Sequence, residues 1–166
     1  MRKIYPENVR RITATVGSKT YNFRSEGEMM WAQYLEWLKE SGEIRNWCYE
    51  GKTFYFRNEK TAPVQYTPDF WITPIGGMVY CQEFKRGHLD GQAVTKFRRM
   101  AKHYPGVIIE LVITNKCKKD AHRLYIVKKY VRRIIDADII FKQMGNLIKT
   151  AGDYRLGQKI KELTGE

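Results

Sequence analysis

The sequence predicts an α/β domain, with a central mixed β-sheet flanked by helices and a C-terminal helical appendage. Three observations point there. Residues 26–40 carry an apolar stripe at helical spacing, and three short segments between residues 52 and 85 alternate as strands do. Beyond them a helical stripe leads into the β-branched run Val107–Ile113, so strand, helix and strand follow one another.

The first helix is predicted over residues 26–40, with Trp31, Leu35 and Leu38 at i, i+4 and i+7. Ser25 precedes it and Glu28 follows three residues later, the spacing of a capping box, and Ser41-Gly42 ends it. Lys52–Arg57 places Phe54 and Phe56 on one face, and residues 66–72 and 78–85 flank a turn at Ile75-Gly76-Gly77. These three segments predict an antiparallel meander. Residues 92–104 put Val94, Phe97, Ala101 and Tyr104 at helical spacing, and the strand that follows implies a right-handed parallel crossover.

The length of 166 residues suits one domain with a small addition. Residues 1–116 are the expected core and 117–166 the appendage, with its boundary near Lys116–Asp120. Three helical segments are expected there, marked by Leu124, Val127, Val131 and Ile134, by Ile140, Met144, Leu147 and Ile148, and by Leu156, Ile160 and Leu163. Residues 123–131 also carry enough Tyr, Ile and Val for a strand.

Hydrophobic residues at 43% and charged residues at 29% exclude wholesale disorder. No stretch reaches the roughly 18 apolar residues of a membrane span, and charges occupy Met1–Arg11 where a signal peptide carries its apolar run. A cytoplasmic protein without a membrane partner is the expectation. The net charge of +12 favours a polyanionic partner, nucleic acid first. Residues 1–115 hold 17 basic and 12 acidic groups and residues 116–166 hold 13 and 6, so neither part is a bare basic tail. Cys48, Cys81 and Cys117, like His88, His103 and His122, are too scattered for a disulfide framework or a zinc site.

The chemistry concentrates on the hairpin. A loop centred on Gly76 pairs residues on either side symmetrically and sets Asp69 opposite Glu83, with Lys85 on the same face by the period of two. Opposed like charges destabilise a sheet unless something compensates, and a divalent cation does so. The alternative is a solvated polar face with a weak surface pair. Glu28 fits an N-cap pair, yet it shares the inward stripe of Trp31, Leu35 and Leu38, and a carboxylate there needs a partner. Oxygen ligands of this kind suit Mg²⁺ or Mn²⁺.

Pro68-Asp69, thirteen residues, then Glu83-Phe84-Lys85, preceded by a helix bearing Glu28, resembles the active site of the PD-(D/E)XK nuclease superfamily. Phe23-Arg24-Ser25-Glu26-Gly27-Glu28 is similar to a branch containing phage-encoded endonucleases and Holliday junction resolvases. The resemblance spans residues 19–113 and implies a restriction-endonuclease-like core. It implies that Asp69 and Glu83 bind Mg²⁺, with Mn²⁺ as substitute and the Phe84 carbonyl as a further ligand. Glu28 assists directly or through water, and Lys85 orients or helps deprotonate the attacking water. The implied activity is Mg²⁺-dependent DNA cleavage selective for branched DNA, leaving 5′-phosphate and 3′-hydroxyl ends, in phage DNA processing within the host cytoplasm. Two incisions per branch imply a homodimer.

Arg86 is the best placed phosphate contact, and Lys19 and Arg24 precede the first helix. Lys96 and Arg99, with Arg98 and Lys102, read either as a solvated face or as phosphate contacts. Arg132, Arg133, Lys128 and Lys129 either meet DNA or keep the appendage soluble, and Trp71 shares the face of Asp69. The rival readings are a restriction-type or transposon-end nuclease, a nuclease-like fold that binds nucleic acid without cutting, and a basic structural protein of a nucleoprotein complex.

Overall fold

The computed structural model describes residues 11–151, and the helical segment expected around Leu156, Ile160 and Leu163 lies outside them. The chain is α/β. It begins with a ribbon of β1 (Ile12–Val16) and β2 (Lys19–Phe23), joined by Gly17-Ser18 with Gly17 at φ 61°. That left-handed conformation is open to glycine at little cost.

Helix α1 (Glu26–Glu40) has the expected bounds, and Ser25 caps it by accepting from the Glu28 N–H at 3.2 Å. Next come β3 (Ile44–Tyr49), β4 (Phe54–Tyr55), β5 (Gln65–Tyr66), β6 (Phe70–Pro74) and β7 (Tyr80–Lys85). Helix α2 (Gly91–His103) leads to β8 (Ile108–Ile113), and a 3-10 turn (Asn115–Lys119) precedes α3 (Ala121–Val127), β9 (Ile134–Asp136) and α4 (Ala137–Ala151).

The central sheet has five strands in the order β3-β6-β7-β8-β9, antiparallel from β3 to β7 and parallel from β7 to β9. The expected meander is corrected in one strand. Residues 54–55 leave the sheet and pair with 65–66 in a separate ribbon, and the neighbour of β6 is β3. Phe54 and Phe56 are buried as expected, but against α2. Alternation identifies a strand without identifying its partner.

The helical appendage is also corrected. After α3 the chain returns as β9, pairing Leu111 with Ile134 and Ile113 with Asp136, so residues beyond 117 complete the core sheet. Val131 and Ile134 therefore belong to a turn and a strand, and the strand alternative for 123–131 gives way to α3 and the turn after it.

One sheet face carries α1, α4 and the β1–β2 ribbon over Trp31, Leu35, Phe70, Ile72, Phe84 and Val112. The other carries α2, α3 and the β4–β5 ribbon over Phe97, Met100, Leu111, Ile113 and Val127. In α2 the inward stripe is Ala93, Phe97 and Met100, with Ala101 exposed. Among the described residues no helix is long and apolar enough to cross a membrane.

Candidate functional site

The β6–β7 hairpin has the expected register. Phe70 pairs with Gln82 and Trp71 with Cys81, which sets Asp69, just before β6, beside Glu83. The Phe84 N–H donates to Asp69 Oδ2 at 2.8 Å, and the Asp69 carbonyl accepts from the Glu50 N–H at 2.8 Å. Both carboxylates are buried, Asp69 at 4% exposure and Glu83 at 3%. A solvated polar face is thereby excluded.

Lys85 reaches the same spot, its Nζ 2.7 Å from Glu83 Oε1, while the fully buried Tyr66 hydroxyl donates to Glu83 Oε2 at 2.9 Å. Burial pushes the Asp69 carboxyl well above its usual range, and the charges of Glu83 and then Glu28 push it further, against the Phe84 N–H and Lys85. Burial also lowers Lys85, but the charge of Glu83 and its hydrogen bond outweigh this, so Lys85 is held above its ordinary value and stays protonated at neutral pH.

Glu28 is buried at the tip of α1. Its Oε2 accepts from the Tyr49 hydroxyl at 2.6 Å and the Arg24 N–H at 3.2 Å, and its Oε1 from Ser25 Oγ at 3.1 Å. Capping and inward placement are thus both realised. Gly27 lets this tip close on β7, because a Cβ there would lie 2.5 Å from Cε1 of the buried Phe84 ring. Past Lys85 the strand end is held by residues after β8. The Thr114 N–H donates to the Lys85 carbonyl at 3.1 Å, and Cys117 Sγ lies 3.0 Å from the same oxygen.

Among the described residues no three His, Cys, Asp or Glu side chains converge as a ready metal cage. Asp69 and Glu83 stand together, and Glu28 is engaged by Tyr49, Arg24 and Ser25. Of the two expected modes for Glu28, direct or through water, these hydrogen bonds favour the second. A carboxylate pair still fits Mg²⁺, which keeps several waters and needs one or two carboxylates plus substrate phosphate.

The basic residues separate into distinct settings. Arg24 and Arg86 line a groove of about 710 Å³ beside the α1 tip together with Arg11, Ile12, Thr13, Ser25 and Glu26. Arg24 pairs with Glu50, and Arg86 lies 3.6 Å from Glu26. Lys19 borders a different cavity, about 260 Å³, with Tyr21, Glu36 and Trp47. Lys96 lies 5.5 Å above the Tyr66 ring, next to the Glu83 cluster.

Arg99 is a correction. It is 7% exposed, donates to the Thr61 carbonyl at 2.8 Å and to Thr61 Oγ1 at 3.0 Å, bonds the Pro63 carbonyl, and lies 3.3 Å from Glu59. Such a guanidinium pins the 59–63 loop to α2 and meets no phosphate. Trp71 is half-buried and stacks on Phe54 at 5.7 Å.

Sequence reasoning missed Tyr49, Tyr66 and Arg11. Tyr49 closes a strand whose bulge between Ile44 and Asn46 breaks the period of two, and Tyr66 stands in a two-residue strand too short to show a pattern. Substituting Tyr66→Phe strands Glu83 Oε2, a buried charged acceptor, and is expected to cost about 1–3 kcal/mol in denaturant unfolding. Lys85 and Asp69 stay in place, so the variant isolates how firmly Glu83 must be held. Set against protein-family models, curated proteins and solved structures, the chain matches none.

Proposed function

We propose that the protein is a Mg²⁺-dependent DNA endonuclease that hydrolyses phosphodiester bonds at branched DNA, on a restriction-endonuclease-like core. The observation that carries this reading is the buried pair Asp69 and Glu83 with the Lys85 ammonium against it, at the end of β7. A binding module has no use for two buried carboxylates facing a polyanion, since each costs desolvation and repels phosphate.

Asp69 and Glu83 would hold the cation, with the Phe84 carbonyl beside them and Glu28 acting through water. When bound, the ion acidifies water and polarises a phosphoryl oxygen. The chain's own groups do the rest. Tyr66 and Lys85 fix the two oxygens of Glu83, and the Phe84 N–H fixes Asp69. Lys85, as an ammonium, orients water by hydrogen bonding and offsets negative charge that develops on the phosphoryl group. Arg11, Arg24 and Arg86 line the neighbouring groove with the positive charge a phosphate backbone requires.

Branch selectivity and action as a homodimer rest on the likeness of the Phe23–Glu28 string to junction-resolving nucleases. The test is a labelled four-way junction, a linear duplex and single-stranded DNA of one sequence, each with Mg²⁺ or EDTA. Paired nicks confined to the junction and to Mg²⁺ are expected. Cutting of plain duplex at a fixed sequence would overturn branch selectivity and leave the nuclease chemistry standing. Salt-sensitive binding with no cleavage under Mg²⁺ or Mn²⁺ would overturn the enzyme itself.

A further inference from the structure

On the opposite face of the sheet, the α1 and α4 side, a second polar cluster surrounds Glu110, which is fully buried. Arg132 binds Glu110 Oε1 through Nε at 3.0 Å and Nη2 at 2.6 Å. Arg133 binds the same carboxylate through Nε at 2.6 Å and Nη2 at 3.2 Å. Gln82 Nε2 donates to Glu110 Oε2 at 2.8 Å, and Gln82 Oε1 accepts from the Trp31 indole N–H at 2.9 Å. One buried carboxylate thus anchors two guanidiniums whose side chains remain 44% and 59% exposed.

This arrangement carries a surplus positive charge, and its geometry is set before any ligand arrives. Arg132 uses two of its five N–H donors on Glu110 and Arg133 one, with Arg133 Nε in a further charge contact. Arginines already ordered lose less side-chain entropy on binding phosphate than free surface lysines do. Aromatic rings adjoin them. Arg132 lies 4.4 Å over the Tyr80 ring, and Tyr34 stacks with Trp37 at 6.1 Å and 24°. Tyr34 packs 4.9 Å from the ring of Trp31, whose indole N–H holds the Gln82 side chain bound to Glu110, so this aromatic pair belongs to the same cluster.

We propose that Arg132 and Arg133, with Tyr34 and Trp37, form a second nucleic-acid contact that takes a single-stranded segment, its phosphates on the guanidiniums and a base on the aromatic pair. The proposal rests on the nucleic-acid reading of the Asp69 site. It concerns a different surface of the protein, because Gln82 and Glu83 are successive residues of β7 and face opposite sides of the sheet. Charge complementarity and a stacking surface together select a strand with unpaired bases, since a paired duplex offers phosphates but hides base faces.

The test is fluorescence anisotropy of oligothymidylate and of an abasic oligomer of equal length, titrated with the full chain in EDTA across a salt series. The variants are Arg132→Gln/Arg133→Gln, the same pair combined with Glu110→Gln so that no buried charge is left alone, and Tyr34→Leu. Removing two phosphate contacts should flatten the slope of log affinity against log salt by about 1.4, at ~0.7 per contact on a single strand. Tyr34→Leu should weaken oligothymidylate about tenfold and leave the abasic oligomer unchanged. An unaltered slope in an arginine variant that melts cooperatively would overturn this contact, as would equal losses on both oligomers with Tyr34→Leu. If either result accompanies intact Mg²⁺-dependent cleavage, the second contact alone falls. A wild-type protein that neither binds nor cuts any nucleic acid overturns both readings.

Discussion

Asp69→Asn is expected to abolish cleavage, by at least about 10³-fold, while DNA binding in EDTA is kept or tightened, because on the proposed reading it removes a cation ligand and an acidic group facing the phosphates. The same substitution should stabilise the metal-free protein. The Asp69 carboxyl is held well above its usual value of 3.8 by burial first and then by Glu83 and Glu28. A carboxyl raised on folding makes its ionised form a burden above the usual value, and folding gains stability as pH falls through the raised value. The variant should therefore melt above wild type at neutral pH in EDTA, and the gap should close as pH falls towards 3.8. Mg²⁺ should raise the melting temperature of wild type, by about 2.7 kcal/mol of stability at a hundredfold excess over its dissociation constant, and leave the variant nearly unmoved. Retained cleavage by Asp69→Asn would remove this site from the mechanism.

Lys85→Met keeps the length of the stem and removes the ammonium. Cleavage should fall by about 10²–10³-fold, the usual consequence of losing one fixed donor to developing charge. Stability in EDTA should fall by about 1–3 kcal/mol as Glu83 Oε1 loses a charged hydrogen bond. The pH dependence has a definite sign. Lys85 is raised above 10.5 by Glu83 despite burial, so its contribution is complete below 10.5 and disappears only as pH climbs through the raised value. The stability gap between variant and wild type should thus be flat from pH 6 to 9. Lys85→Arg serves as the control, restoring charge and stability without restoring the compact ammonium geometry. Cleavage by Lys85→Met at the wild-type rate would show that the ammonium is a fold element only.

Much of the frame is legible in short windows of sequence. Helix α1 keeps its expected bounds because the stripe of Trp31 and Leu35 and the Ser25–Glu28 cap both lie within one run of residues. The β7-α2-β8 unit follows from a β-branched run after a helical stripe. Strand β3 is hidden by its bulge and β9 by its three-residue length, so two of the five sheet neighbours come from segments with no readable period. Arg99 shows the limit for charge. Its sign is plain in sequence, but Glu59, Thr61 and Pro63, which turn it inward, lie some forty residues earlier.

The amino-acid sequence by itself determined the hairpin register, the placing of Asp69 beside Glu83 and Lys85, and the cap that holds Glu28 at a helix tip. Each depends on neighbours along the chain, through the period of a strand or the first turn of a helix. Only the tertiary structure decided that these carboxylates are buried, that Tyr49 and Tyr66 bind two of them, and that Glu110 gathers Arg132 and Arg133. Desolvation and charge pairing depend on which distant segments close over a group, and no local period records that.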